Sequence, residues 1–467
     1  MDGASIDREI EELAPAMLDF AKRLIAYPSV EQQGEPGEPF GKPAAEVLDC
    51  FLREAESLGF TTVNDEAYAG HAEWSGGNRL VGALVHLDVV PEGSGWTKHR
   101  AFEPVIEDGQ LYGRGSVDDK GPAAATLYAL AALRRVGMQP KATIRLIAGC
   151  NEESGWRCVH HYFQRYPRPA YAFSPDGVFP IVVAEKGILD VRVTVPRTAE
   201  GGELHLIAAG GGTAANVVAD RAWAEVAGDP QALEEAAQRL EHGDFPGVAA
   251  TLQQGRLQLR ATGVGAHAMQ PHKGINAIVR LARAAAILPV GESEAQLFTF
   301  VRDRIGEQTD GSLLGIACSD EASGALTVNL GQLWTSPEQI GFSLNIRYPV
   351  SLTAAVLEER LHAALASLGG QIHFEDNAPH AVDPNSPLVN QLAAAYEKVV
   401  GQPAERLAIG GGTYARAAGN AVAFGPIFPW RAPLDHEPEE HIAVEDLIAC
   451  AKIYARGLAM LADEGLS

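Results

Sequence analysis

The strongest constraint on the fold is the alternation of buried-strand and helix patterns in the first third of the chain. The run "RLVGALVHLDVV" is a continuous apolar strand, "GPAAATLYALAALRRVG" follows with helical periodicity, and "KATIRLIAGC" is a second apolar strand. Strands that are apolar on both faces are typical of parallel sheets covered by helices. This order predicts an α/β fold in which helices flank a mixed sheet.

The character of the sequence changes twice along the chain. With 467 residues, the chain is too long for one compact core and should form two or three units. Residues 186–382 alternate strands such as "LQLRATGVG" with helices such as "NAIVRLARAAAIL", which predicts an α+β insertion. Long helical patterns then return. We therefore predict one discontinuous domain, residues 1–185 and 383–467, and an inserted domain that is either a single unit or two α+β subdomains.

Composition excludes several classes of protein. Hydrophobic residues make up 46% of the chain and charged residues 21%, as in soluble globular enzymes. No run of about 18 apolar residues is present to span a bilayer. The N-terminus is acidic and lacks the basic start and apolar run of a signal peptide. These features predict a cytoplasmic protein.

Charge and cysteine content narrow the possible partners. A net charge of −23 argues against nucleic acid and anionic membranes, which bind clustered basic residues. The same charge suits a protein that holds divalent cations, although solubility alone would also explain it. Five cysteines with wide, irregular spacing support neither a disulfide framework nor a thiolate zinc site.

The strand "VHLDVV" carries His86 and Asp88. Alternate residues of a strand share a face, so these two side chains can meet one site. A histidine that binds a metal usually donates its other ring N–H to an acceptor, and Asp88 is placed for that role. A histidine satisfied within the core would show the same pattern.

Four further motifs carry polar groups where strand or helix patterns end. "GRGSVDDKGP" places Asp118 before a helix, "FSPDGVFP" contains Asp176, and "PLDHEPEEHI" contains His436. "NEES" puts Glu152 and Glu153 side by side after an apolar strand. A helix cap, a turn and a loop histidine would explain the first three. Two buried neighbouring carboxylates, however, require a cation or access to solvent.

The order of these motifs resembles that of the dizinc metallopeptidases that include carnosinases, aminoacylases and glutamate carboxypeptidases. The details "HLDVVPEGSGW", "GRGSVDDKGP", "FSPDG" and "GGGTYARA" look most like the bacterial PepV-type dipeptidases. The resemblance spans nearly the whole chain. It implies that the discontinuous domain is catalytic and that the insertion is a lid.

The resemblance implies two metal ions that share one ligand. Its ligand sets are His86, Asp118 and Asp176 for one metal, and Asp118, Glu153 and His436 for the other. Glu152 is then the general base and Asp88 orients the site. The family commonly has a cis peptide after the bridging aspartate, which predicts a cis bond between Asp118 and Asp119.

The ligand types narrow the choice of metal. Three ligating carboxylates, two divalent ions and one hydroxide sum to about zero charge, which a partly buried site tolerates. Nitrogen and oxygen ligands without thiolate suit Zn²⁺, Mn²⁺ or Co²⁺. Zinc is the default because the family usually carries it.

The insertion is expected to contribute to the site. "GVGAHAMQPHKGINAI" matches the lid motif and makes His267 a candidate donor to the tetrahedral oxyanion, although a surface histidine would look the same. Asn216 and Arg347 match substrate-binding positions, and Arg347 could instead be a structural ion-pair partner. Gly411 and Gly412 are predicted to cradle the substrate carboxylate.

These expectations combine into a metal-dependent dipeptidase in which Glu152 acts on a water activated by two metals. A deacylase of N-acyl amino acids or a carboxypeptidase on the same scaffold is the enzymatic alternative, and a non-catalytic metal- or peptide-binding protein is the other. The expected partner is a dipeptide, and the protein should be a monomer or a homodimer. We also predict closure of the insertion about hinges near Lys186 and Asp383.

Overall fold

The computed structural model of the protein describes residues 3–197 and 202–463. The chain divides into two compact units. The first extends to Ala184 and continues in Ala381–Leu407 and from Gly412 onward, and the second comprises Glu185–His380 and Ala408–Gly411. The predicted domain boundaries, after residues 185 and 382, lie next to these divisions.

The helices of the described residues are α1 (Gly3–Ile25), α2 (Lys42–Ser57), α3 (Lys120–Arg135), α4 (Arg157–Arg165), α5 (Pro230–His242), α6 (Ala277–Ala285), α7 (Glu292–Phe300), α8 (Ala354–Leu365), α9 (Pro387–Val400), α10 (Ala415–Ala418) and α11 (Val444–Asp463). The strands are β1 (Thr61–Asp65), β2 (Ala69–Trp74), β3 (Leu80–His86), β4 (Val105–Glu107), β5 (Gln110–Tyr112), β6 (Thr143–Gly149), β7 (Tyr171–Ser174), β8 (Ile181–Glu185), β9 (Gly187–Pro196), β10 (Leu204–Gly211), β11 (Arg221–Gly228), β12 (Val248–Gln253), β13 (Arg256–Thr262), β14 (Ser319–Asp320), β15 (Gly324–Ala325), β16 (Thr327–Thr335), β17 (Gln339–Tyr348), β18 (Gln371–Asn377), β19 (His380–Ala381), β20 (Arg406–Ile409), β21 (Ala421–Ala423) and β22 (His441–Ala443).

The first unit is built on a mixed sheet in which β1, β2, β6, β3, β7, β21 and β8 follow one another. The strands β6, β3, β7 and β21 run parallel, whereas β2 pairs antiparallel with β6. His86 at the end of β3 lies opposite Gly149 at the end of β6. The carboxyl ends of the parallel strands therefore meet at one edge, where open α/β sheets bind their ligands.

Helices cover this sheet as its apolar strands require. Helix α3 is buried from Lys120 to Leu133 and packs with α1 and α11. Helix α1 turns only one face inward, since residues such as Ile6, Ile10 and Met17 recur at helical spacing. The predicted α/β class with a mixed sheet is confirmed.

A separate three-stranded sheet contains β4, β5 and β22, of which β4 and β5 lie before the loop that carries Asp118 in sequence. Strand β5 pairs antiparallel with both β4 and β22, and His441 lies opposite Tyr112. The chain leaves β5 into residues 113–119, which lead to α3. The peptide bond between Asp118 and Asp119 is cis, which confirms that prediction.

The second unit contains an eight-stranded antiparallel sheet in the order β12, β13, β11, β10, β16, β17, β9 and β18. Strand β9 alternates buried and more exposed residues, as expected when one sheet face is covered. Helix α6 packs on this sheet, and its N-cap Asn276 accepts hydrogen bonds through its side chain from two backbone N–H groups of the first turn. Among the described helices of both units, none combines the length and apolar character needed to cross a membrane.

Candidate metal centre

Three parallel strands deliver candidate ligands to the same sheet edge. His86 is the last residue of β3, and Asp176 follows β7 by two residues. Glu152 and Glu153 follow β6. The structure therefore brings together the side chains that the strand patterns place at neighbouring carboxyl ends.

Asp118 lies between the two candidate histidines. Its Oδ1 is 2.7 Å from Nε2 of His86, and its Oδ2 is 3.0 Å from Nε2 of His436. His86 is 1% exposed and His436 is 44% exposed, so the line of groups runs from the interior to the mouth of the site. Each carboxylate oxygen of Asp118 thus faces a different imidazole, the arrangement expected of a bridging ligand.

Two groups of side chains can each hold a metal ion, and both contain Asp118. The groups are His86, Asp118 and Asp176, and Asp118, Glu153 and His436, with ligand atoms within 4.8 Å of one another in each. His86 Nε2 is 3.7 Å from Asp176, and His436 Nε2 is 3.1 Å from Glu153. These groups have the same members as the two predicted ligand sets.

Asp88 is placed differently from the simplest expectation. Its carboxylate oxygens accept hydrogen bonds from the backbone N–H of Glu152 at 3.0 Å and of Glu153 at 3.1 Å. His86 Nδ1 lies 3.0 Å from the carbonyl oxygen of Asp88 and 3.5 Å from its carboxylate. The carbonyl is thus the nearer partner of His86, and the carboxylate chiefly fixes the backbone of the two glutamates.

Glu152 belongs to neither ligand group, although it lies beside both. Its Oε1 is buried and has no hydrogen-bond partner among the described residues. Burial raises the pKa of Glu152 well above its usual range, and the nearby charges of Asp176 and Glu153 add to this. Divalent cations would oppose this rise because opposite charge favours the carboxylate form.

The electrostatics of the cluster are those of acids without enough counter-charge. Burial raises the pKa of Asp176 well above its usual value, and repulsion from Asp118 adds to this effect. Burial alone would lower the pKa of His436, yet Glu153 and Asp118 raise the pKa of His436 to about 12. Either protonation of these groups or the binding of cations would offset this crowding of negative charge.

Metal binding is accordingly expected to release protons. The raised pKa keeps His436 protonated through neutral pH, whereas a metal needs its neutral imidazole, so at least one proton should leave at pH 7.5. Lowering the pH should weaken binding. Titration calorimetry with Zn²⁺ in buffers of different ionisation enthalpy measures this number, and His436→Asn should release fewer protons. Identical heats in all buffers would contradict the prediction.

The donor set fits divalent cations on structural grounds. Besides Glu152 Oε1, the carboxylate oxygens Asp119 Oδ1 and Asp435 Oδ1 are buried without a hydrogen-bond partner in the described part of the chain. Orphaned buried acceptors are costly, and cations nearby offset that cost. Imidazole nitrogen and carboxylate oxygen suit Zn²⁺, Mn²⁺ or Co²⁺.

The second unit brings two further predicted residues together. Val217 and His267 form an isolated antiparallel bridge, and the N–H of Ala268 donates to the carbonyl of Asn216 at 2.9 Å. Both Asn216 and His267 are exposed. Nδ1 of His267 accepts from the N–H of Met269 at 3.2 Å, so the proton of the neutral ring lies on Nε2.

Arg347 is only 5% exposed and lies on β17 of the second unit. Its Nε donates to the side chain of Asn345 and its guanidinium donates to the carbonyl of Gly410, both at 2.8 Å. These partners are neutral. Gly411 belongs to the same unit, and Gly412 begins the next segment of the first.

Sequence reasoning missed three charged residues near the ligands. Arg114 and Glu440 form a buried ion pair of 2.7 Å, and they occur in the motifs that contain Asp118 and His436. Asp435 precedes His436, and its pKa is raised by burial and by repulsion from Asp118. The adjacent acids in "PEEH" and the arginine in "GRG" were the available signals.

A mixed sheet whose carboxyl edge presents two adjoining groups of imidazole and carboxylate ligands is the architecture of a metal-dependent enzyme. Comparison with known proteins gives the family. The chain matches the model of peptidase family M20/M25/M40 over residues 83–459. It belongs to this peptidase family, which confirms the resemblance seen in the motifs.

Two relatives align with nearly the whole chain. The protein named "Putative dipeptidase YtjP" of Bacillus subtilis (strain 168) is 38% identical over 437 residues, which cover 92% of this chain and 94% of the relative. "Putative dipeptidase SAB1611c" of Staphylococcus aureus (strain bovine RF122 / ET3-1) is 32% identical over 467 residues, with coverages of 98% and 99%.

Solved structures share the fold at low sequence identity. Human carnosine dipeptidase 1 has a TM-score of 0.61 at 15% identity, and the match covers 99% of both chains. The M20 family metallo-carboxypeptidase Sso-CP2 from Sulfolobus solfataricus has a TM-score of 0.60 at 17% identity, covering 96% of this chain and 99% of the other. These matches support the fold class.

Proposed function

We propose that this protein is a metal-dependent dipeptidase that hydrolyses the peptide bond of dipeptides with free termini. The observation that carries the proposal is Asp118, whose two carboxylate oxygens face the imidazoles of His86 and His436. The relatives named as dipeptidases, similar over nearly their whole length, support the substrate class. Two metal ions, zinc by default, and a cytoplasmic location complete the proposal.

In this proposal the two ligand groups hold the metal ions, and Glu152 transfers the proton. Divalent cations, when bound, would lower the pKa of a water molecule and polarise the scissile carbonyl. Glu152 would accept a proton from that water and pass it to the leaving amine. Asp88 holds the backbone N–H groups of Glu152 and Glu153, so it keeps the base and the adjacent ligand in a fixed register.

The surplus of acids favours a cationic substrate end. Asp435 has a buried carboxylate oxygen without a partner among the described residues, and its charge also contributes to the raised pKa of Asp176. Asp118, Glu153 and Asp176, together with one hydroxide, would already balance two divalent ions. Asp435 would remain as a negative group for the α-ammonium of a dipeptide, which an N-acyl amino acid lacks.

Asp435→Asn is therefore expected to reduce selectivity for a free amino terminus. Hydrogen bonds to charged groups contribute about 1.5–3 kcal/mol, so kcat/KM for a dipeptide should fall about 10- to 100-fold. The rate on the matching N-acetyl dipeptide should not fall. Glu437→Gln is the control, since Glu437 is exposed and flanks His436 on the other side. An equal loss on both substrates would refute the assignment.

A substrate panel tests the proposed function as a whole. The protein loaded with Zn²⁺ or Mn²⁺ is assayed on dipeptides, a tripeptide and an N-acetyl amino acid, with kcat/KM as the measure. We expect dipeptides to be cleaved best. A preference for the N-acetyl amino acid would indicate a deacylase, and equal cleavage of the tripeptide would argue against a dipeptidase. Whether the protein is a monomer or a homodimer stays a prediction.

A further inference from the structure

Arg114 and Glu440 form an ion pair behind the candidate metal centre. Arg114 Nη1 is 2.7 Å from Glu440 Oε2, and the two side chains are 2% and 0% exposed. The pairing of β5 with β22 brings them together, because the N–H of Gly113 donates to the carbonyl of Glu440 at 3.0 Å. A buried pair of this kind is weak support for stability by itself, since desolvation offsets much of the attraction.

Glu440 organises the loop that carries Asp118. Its Oε1 accepts hydrogen bonds from the backbone N–H groups of Val117 at 2.8 Å and of Asp118 at 3.2 Å. The N–H of Gly115 lies 3.1 Å from both carboxylate oxygens. One carboxylate thus fixes three backbone groups of the loop, including that of the shared ligand.

Arg114 organises the loop that carries His436. Its guanidinium donates to the carbonyl of His436 and to that of Glu437, both at 3.3 Å, and to the carbonyl of Glu92 at 3.4 Å. It also lies over the ring of Trp96 at 5.7 Å. His436 has a positive φ of 64°, a conformation that non-glycine residues rarely adopt, so its backbone needs such support.

We propose that the Arg114–Glu440 pair positions Asp118 and His436 and so sets the affinity of the metal held by Asp118, Glu153 and His436. The inference rests on the proposed metal-dependent function and adds two residues to it. Neither side chain is a ligand. Together they connect the backbones of two ligands that come from separate loops.

The two metal groups should depend on the pair to different degrees. Two of the three residues in the group of Asp118, Glu153 and His436 sit on loops held by the pair. In the other group only Asp118 sits on such a loop, because His86 ends strand β3 and Asp176 follows strand β7 of the sheet. Loss of the pair should therefore weaken one metal selectively.

Glu440→Gln and Arg114→Lys test this inference. Glu440→Gln replaces an acceptor oxygen by an amide NH₂, and Arg114→Lys keeps the charge without the fork that reaches several carbonyls. Partners behind a ligand typically contribute 10- to 100-fold in metal affinity. We expect one of the two Zn²⁺ dissociation constants, measured by competition with a chelator, to rise by about that factor while the other changes little.

Glu294→Gln is the matched control. Glu294 forms a 2.9 Å ion pair with Arg197 in the second unit, and its side chain is 5% exposed. Its loss should lower thermal stability without changing either dissociation constant. Thermal unfolding of the metal-free variants identifies any that do not fold, and Arg114→Lys, which keeps a cation beside Glu440, is the milder of the two.

The outcomes separate this inference from the proposed function. Two Zn²⁺ ions in the native protein and a selective loss of one in both variants support the inference, as does recovery of kcat at saturating metal. Native affinities in a folded variant, or equal weakening of both ions, overturn the inference alone. A native protein that binds no second ion overturns both the inference and the two-metal centre.

Discussion

Glu152→Gln is expected to keep both metal ions and to lose about 10²–10⁴-fold in kcat, the usual contribution of a general base. Glu152 lies outside both ligand groups, and its buried Oε1 has no hydrogen-bond partner among the described residues. The amide keeps the shape of the side chain and cannot accept the proton. Metal content measured beside dipeptide kinetics checks both halves of the prediction.

Substitution of the neighbouring Glu153 is expected to affect metal binding rather than proton transfer. Glu153 lies 3.1 Å from Nε2 of His436 and belongs to a ligand group. Glu153→Gln should therefore lose one metal, and excess metal should restore part of its activity. Excess metal should not restore the activity of Glu152→Gln. The assignment of the base is wrong if Glu152→Gln turns over dipeptide at the native rate, or if the two variants lose metal equally.

The strand-borne part of the site could be predicted from the sequence. His86, Glu153 and Asp176 follow apolar runs, and parallel strands must bring their carboxyl ends to one edge. The register that sets His86 opposite Gly149 completes this placement. Patterns of hydrophobicity contain this information because each of these strands is short and largely buried.

The loop-borne part could not be predicted from patterns. Asp118 and His436 approach each other because β5 pairs with β22, and both strands are only three residues long. Such short segments have no periodicity to read. Family resemblance predicted these two candidate ligands. It did not supply Arg114 and Glu440, which are 326 residues apart and meet only through the same strand pairing.

The hydrogen-bond partners of individual side chains also could not be predicted from the sequence. The strand pattern suggested that Asp88 accepts from His86, and His86 Nδ1 lies 3.0 Å from the carbonyl and 3.5 Å from the carboxylate of Asp88. The pattern did not indicate that the same carboxylate accepts from the N–H groups of Glu152 and Glu153. Arg347 was expected to meet a substrate carboxylate, and it donates to Asn345 and to the carbonyl of Gly410. The spacing of residues along a strand predicts which face of the sheet a side chain lies on. It does not predict which of several groups on that face becomes its hydrogen-bond partner. The substrate role of Arg347 and closure of the insertion stay predictions.

His267→Ala is expected to lower kcat by about 10²–10³-fold with both metals still bound, as for the loss of one oxyanion donor. Nδ1 of His267 accepts the N–H of Met269, so the neutral ring presents a donor at Nε2. The bridge between Val217 and His267 holds this segment in an extended pairing. An exposed imidazole whose Nδ1 accepts a backbone N–H suits a group that donates through Nε2 to charge that develops only during reaction.

The comparison of three variants distinguishes donation from a structural role. His267→Gln keeps an amide donor and should lose less activity than His267→Ala, whereas a merely structural role would not favour glutamine over alanine. His272→Ala, an exposed histidine of the same segment, should retain the native rate. The loss should fall on kcat more than on KM, because the oxyanion is absent from the bound substrate. Native turnover by His267→Ala, or a loss confined to KM, would remove His267 from the catalytic residues.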